Sequence, residues 1–316
     1  MRAVATPGQW IWRASGLITA AVLILFGGHL LVRAGQPDHA QPQATATRTV
    51  TVTQRVTSLT VQSYGASVQV TGAPVDRVQI TETVMYDAQT GGGATVAHAV
   101  PAGPLSASPG AAPAVPAVPA APSALPGGAP AVVQSVSGGR LSLSAPECAS
   151  SDCSVAFAVT VPADVTVTAD TGGGPISVSG VAGANLDSGG GPVRATEIGG
   201  PLTVGTDGGS LQLTGLTGAL SADTGGGSLA ARGVASATAT VSTGGAGATI
   251  FFAAAPDSVT VSTDGGAAQL AVPGGPYALT ADSDGAPQSI GIAASPAAQR
   301  SITVMSGGGP LVVGSS

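Results

Sequence analysis

The chain has 316 residues and a formal net charge of -6, with 8% charged and 3% aromatic residues against 48 glycines and 24 prolines. All ten basic residues are arginines, scattered from Arg2 to Arg300, so no basic patch is offered to nucleic acid. Apolar content supplied by Ala, Val, Leu and Ile, with Gly and Pro between, points to an all-β chain of short strands rather than amphipathic helices.

Residues 1–13 read as a short cytoplasmic tail. Ala14 to Val32, ASGLITAAVLILFGGHLLV, carries no formal charge and is flanked by Arg2 and Arg13 on one side and Arg33 on the other. At 1.5 Å per residue it nearly crosses a hydrocarbon core of about 30 Å, and reads as a transmembrane helix. Trp10 and Trp12 fall where an interfacial aromatic belt would lie, and the positive charge before the span sets the N-terminus inside, with the rest of the chain outside. His29, near the outer end, is expected to snorkel. The alternative is a signal peptide, cleaved near Val32-Arg33-Ala34 or Ala44-Thr45-Ala46 to release a secreted protein; the length of the apolar run favours the retained anchor.

Residues 34–47 lack apolar periodicity and read as a linker. Residues 48–90 form a first β-strand segment: Val, Leu and Ile recur at every second position in TVTVTQRVTSLTVQSYGASVQVTG and RVQITETVMY, with Tyr64-Gly65 a turn. Residues 91–130 are a Pro/Ala/Gly-rich insert whose prolines cannot supply the amide donors of a central strand, and whose composition predicts disorder. Strand pattern resumes over residues 131–316. Cys148 and Cys153 are the only cysteines. In an exported chain they are expected to form a disulfide across their short loop; a metal pair would need further His or Cys ligands.

A turn then recurs: TGGG at Thr171, SGGG at Ser188, TDGG at Thr206, TGGG at Thr224, TGGA at Thr243, TDGG at Thr263, SDGA at Ser283 and SGGG at Ser306. Successive starts lie 17, 18, 18, 19, 20, 20 and 23 residues apart, which predicts a repeat architecture. Alignment of the units stacks Val193, Leu211 and Leu229 after the turn, and Ile198, Leu216 and Val234 at the opposite corner. Such ladders describe a β-solenoid in which each coil lies on the previous one. A phosphate-binding loop would occur once and open a helix; here the glycines recur, no helical pattern follows, and lysine is absent.

The repeated strand-TGGG-strand pattern, strongest in VPADVTVTADTGGGPISVSGVAGANLDSGGGPVRATEIGGPL, resembles the DUF4097 family of β-strand repeat proteins, for which "adhesin" is a family label. The resemblance runs from about Arg48 to Ser316. It implies an exported, membrane-anchored solenoid-like domain of the cell envelope and brings no catalytic motif.

Asp170, Asp187, Asp223 and Asp282 precede turns, and Asp207, Asp264 and Asp284 lie inside them. Each is expected to cap its own turn; Asp282 and Asp284 are the weak calcium candidates, since calcium wants six to eight oxygens. No histidine follows His98, which removes a Ser-His pair from the repeats, so no catalytic residue and no cofactor is expected. Phe251 and Phe252 are adjacent, so one should face in and the other out as a contact. The expected function is a non-enzymatic adhesin-like binding or structural scaffold, with an unknown envelope protein or cell-wall polymer as partner. The alternative is an accessory or sensor component of an envelope stress response, working through a membrane partner.

Overall fold

The computed structural model describes residues 43–87, 132–145 and 153–316. The apolar span at Ala14–Val32, the 91–130 insert and Cys148 lie outside the described residues. Among those described there is no α-helix, and so none long and apolar enough to cross a membrane.

The strands before the insert are β1 (Gln43–Val52), β2 (Ser58–Gln62), β3 (Ser67–Ala73) and β4 (Val78–Asp87); after it come β5 (Val133–Ser137), β6 (Arg140–Ser144) and β7 (Ser154–Pro162). The glycine-turn repeats supply β8 (Thr166–Asp170), β9 (Ile176–Ser179), β10 (Gly183–Asp187), β11 (Val193–Thr196), β12 (Leu202–Thr206), β13 (Leu211–Thr214), β14 (Leu220–Thr224) and β15 (Leu229–Val234). They continue through β16 (Thr238–Thr243), β17 (Ala248–Phe252), β18 (Ser258–Thr263), β19 (Ala268–Val272), β20 (Ala278–Asp282), β21 (Gln288–Ile290), β22 (Ser301–Met305) and β23 (Leu311–Ser315). The first strand begins at Gln43, so the last residues of the segment read as a linker belong to a sheet.

Two large, mostly parallel sheets result. One is ordered β1-β4-β7-β3-β9-β11-β13-β15-β17-β19-β23-β21 and the other β20-β22-β18-β16-β14-β12-β10-β8-β2-β6-β5. The chain crosses from the second sheet to the first at each glycine turn and returns at each corner, which is consistent with a β-solenoid-like fold. Among the described strands only β1, β4 and β5 stand outside this two-strand coil, and they pair antiparallel at one end of the stack. Val193, Leu211 and Leu229 are register partners, and Ile198, Leu216 and Val234 are buried at successive corners. Inward positions are aliphatic and alternate with outward polar ones, as in β13 (Leu211 and Leu213 buried, Gln212 and Thr214 exposed). Each buried aliphatic side chain contributes about 1.5–3 kcal/mol, which cannot offset the roughly 1–2 kcal/mol of backbone entropy for every residue of an isolated coil. Stability therefore accrues through neighbours.

The stack departs from chain order at both ends. The β2/β3 coil lies between β6/β7 and β8/β9, so the segment before the insert belongs to the same pair of sheets as the repeats. At the other end β22/β23 lies between β18/β19 and β20/β21, leaving β20/β21 outermost. The side chains explain this. Ile302, Val304, Leu311 and Val313 are all buried, whereas the inward column of β21 holds Gln288, aligned with Leu311. A polar residue in an apolar column is tolerated where the stack ends, and Gln288 Nε2 there donates to the Ser283 hydroxyl at 2.9 Å.

The glycines serve the close approach of coils. A Cβ on Gly227, the third glycine of its turn, would overlap the Gly209 carbonyl oxygen, and one on Gly209 would overlap that of Gly191. Gly172, the first glycine of its turn, adopts φ +60°, the left-handed region that favours glycine. Gly208 has nothing within 4 Å of a notional Cβ and no positive φ. Gly227→Ala should therefore cost at least about 1–3 kcal/mol in chemical denaturation through overpacking, while Gly208→Ala should stay within about 0.5 kcal/mol of the parent.

Candidate functional site

The residue that opens each glycine turn is buried: Thr171, Ser188, Thr206, Thr224, Thr243, Thr263, Ser283 and Ser306. A buried hydroxyl needs a partner, and most find it three residues on. Thr171 Oγ1 donates to the Gly174 carbonyl at 2.6 Å, Ser188 Oγ to Gly191 at 2.5 Å, Thr263 Oγ1 to Gly266 at 2.6 Å, and Thr224 likewise to Gly227. Thr206 instead donates to Gly191 of the neighbouring coil at 3.3 Å and accepts the Gly209 N–H at 2.9 Å. In the first coil before the insert the equivalent residue is Ser63, whose backbone N–H donates to the Asp170 carbonyl; its buried hydroxyl has no partner.

Three of the four aspartates before the turns, Asp170, Asp187 and Asp282, accept backbone donors. Asp170 Oδ1 accepts Gly172 N–H at 3.3 Å, Asp187 Oδ1 accepts Gly189 N–H at 3.1 Å, and Asp282 Oδ1 accepts Asp284 N–H at 3.0 Å. Asp170 and Asp187 are register partners, but the partner of Asp282 is Met305. Among the described residues no three His, Cys, Asp or Glu side chains converge as a metal site. Asp282 and Asp284, the calcium candidates, are joined by that local turn contact.

The outer face of the second sheet carries a column of small polar side chains. Register partners run from Ser142 through Thr60, Thr168, Asn185, Thr203, Ser221, Thr240, Thr260 and Thr303 to Thr280. Beside it, β16 and β18 add Thr238 with Ser242 and Ser258 with Ser262. Rungs of this ladder repeat at the strand spacing of about 4.7–4.9 Å.

On the first sheet the phenylalanine pair divides as alternation requires. Phe252 is buried, and Phe251 stands on the outer side with the Arg232 guanidinium 5.1 Å from its ring centroid. Arg232 and Phe251 are register partners on β15 and β17. The contact potential assigned to the exposed ring is therefore shared with this cation–π pair. Cys153 immediately precedes β7.

Glu82, which the sequence analysis did not single out, is 1% exposed on β4, and its Oε2 has no hydrogen-bond partner. Its phase with Val78, Ile80 and Val84 in VQITETVMY places it inward. Burial pushes its carboxyl above the usual 4.5, and Arg48, its register partner on β1, pulls the other way.

No known family profile matches the chain, and no curated protein matches it. Among solved structures, a crystal structure described as a "putative cell adhesion protein" from Clostridium sporogenes is similar at 9% identity and a TM-score of 0.28, covering 87% of this chain and all of that one.

Two substitutions test the polar groups. With the Glu82 pKa raised, the folded state holds more protons than the unfolded state above pH 4.5, so stability falls as pH rises through that window. Glu82→Gln removes this slope: urea midpoints at pH 5 and pH 7 should differ less in the variant than in the parent. Thr224→Val strands the Gly227 carbonyl and should cost about 1–3 kcal/mol, whereas Ser63→Ala, which breaks no bond, should be neutral or stabilising in the same assay.

Proposed function

We propose that the chain is a non-enzymatic, envelope-displayed scaffold of the adhesin-like kind, a β-solenoid related to the DUF4097 proteins whose outer faces engage an envelope protein or wall polymer. The observation that carries this reading is the ladder from Ser142 to Thr280, a long face of small polar groups in unbroken register. Its hydroxyls can donate and accept, and from Thr60 to Thr303 their backbone is fixed by parallel pairing on both sides, so ordering them on contact costs little entropy. The carboxylates of Asp170, Asp187 and Asp282 each hold a backbone N–H of their own turn, which suits structural duty better than acid–base chemistry.

In this reading Ala14 to Val32 anchors the protein in the cell membrane, with the N-terminus inside and the repeats outside. Cys148 pairs with Cys153, as an oxidising exterior permits.

Crosslinking on living cells tests the proposal, comparing the intact chain with a variant carrying Thr203→Glu, Thr240→Glu and Thr260→Glu on the outer face. The intact chain should recover a specific envelope protein or wall fragment, with recovery from the variant reduced about tenfold. Equal recovery from both, or none above background, would overturn the assignment of this face.

A further inference from the structure

The coil formed by β2 and β3 turns on Ser63-Tyr64-Gly65-Ala66, in the place where its neighbour has Thr171 and three glycines. Two features set this turn apart. Tyr64 stands 75% exposed, and Ser63, 7% exposed, keeps a hydroxyl with no partner, as does Ser236 at a corner, although each of the eight hydroxyls that open the glycine turns has one. An orphaned buried donor costs about 1–3 kcal/mol, which marks this turn as less well satisfied than its neighbours.

Both residues line a cleft of about 230 Å³ with Gln62, Ser144 and Asp170. Ser144, Gln62 and Asp170 are consecutive rungs of one outer column, because Gln62 pairs with Ser144 on β6 and with Asp170 on β8. A hydroxyl, an amide and a carboxylate therefore stand in a row about 9–10 Å long, at two strand spacings. The backbone beneath is held from both sides: Ala145 N–H donates to the Gln62 carbonyl at 3.0 Å, and Gly65 N–H to the Thr171 carbonyl at 2.5 Å.

The geometry points to a binding site for a neutral sugar, of about disaccharide length, in the cleft between Tyr64 and the Ser144-Gln62-Asp170 row. The lining selects that chemistry. Among the described residues no arginine lines the cleft and a carboxylate does, which disfavours an anion; the one aliphatic side chain among them is Ala145, too little for an apolar ligand. What is present is an accessible aromatic ring, on which the C–H face of a pyranose can pack. Beside it stand groups that donate to and accept from ring hydroxyls. Asp170 Oδ1 is occupied by its turn N–H, leaving Oδ2 to accept from the sugar. The inference rests on the reading of the chain as envelope-displayed, which brings glycans within reach. It is independent of the outer-face ladder.

The test is isothermal titration of the full-length chain with chitobiose and, separately, with maltose, repeated on Tyr64→Ala, Tyr64→Phe and Gln62→Ala. The expected result is weak, saturable binding of at least one disaccharide. Tyr64→Ala should lower affinity about tenfold, Gln62→Ala should weaken it several-fold, and Tyr64→Phe should retain it. Tyr64 is exposed, so its variants should keep the parent's unfolding midpoint, which is checked alongside. Absence of binding by either sugar, or binding unchanged in Tyr64→Ala, would overturn the site. Neither outcome would touch the scaffold reading, which stands or falls on crosslinking to the outer face.

Discussion

Over much of the stack, successive coils of this protein approach each other at their turns more closely than a side chain with a Cβ would permit, and that approach organises the rest of the structure. Where Gly227 lies over Gly209, and Gly209 over Gly191, backbone meets backbone. The turn that results is sealed from inside by a buried threonine or serine bonded to the carbonyl of that same third residue. Parallel strands on either side are then brought into register, and the aliphatic columns follow. Electrostatics adds little: the ion pairs among the described residues, Arg55–Asp164 and Arg300–Asp257, span 3.8 Å and are exposed. The fold is held by shape, apolar burial and satisfied backbone, with few charges to tune it.

That economy explains what was legible in the sequence. The 17–23-residue spacing and the Val193, Leu211, Leu229 ladder required only counting, because most coils solve the same steric problem in the same way. The division of Phe251 and Phe252 followed from alternation alone. The position of β2/β3 was not legible: SLTVQ and SVQVT offer apolar columns that match several neighbours equally well, and stacking order is decided by competition among such columns. Gln288 was a readable signal of a terminal coil, had its register been known. Glu82 could have been found from its phase within VQITETVMY. Ser63 was hidden because QSYGAS lacks the glycine run, and its kinship with Thr171 appears only once the coils are stacked.

The polar groups divide by what the coils leave them to do. One oxygen of each of Asp170, Asp187 and Asp282 is spent on a backbone donor, and the hydroxyls that open the glycine turns on backbone carbonyls. The outer column from Ser142 to Thr280 has no such duty, nor does the Tyr64 turn. Binding potential thus gathers where the repeat is either exposed or broken, a distribution expected when most residues are committed to holding closely packed backbones.

The inserted coil also bears on the order in which the structure can form. Ser58 pairs with Thr166, 108 residues later, whereas Leu211 and Leu229 are 18 apart. A chain emerging from the N-terminus presents β2 and β3 long before either of their flanking coils exists. The central repeats, each closing on the next, can assemble as they appear, since short loops close at lower entropic cost and contacts of low sequence separation form faster. Assembly should therefore begin in the middle of the stack and recruit the oldest segment last, so the part of the chain made first is the part that must wait.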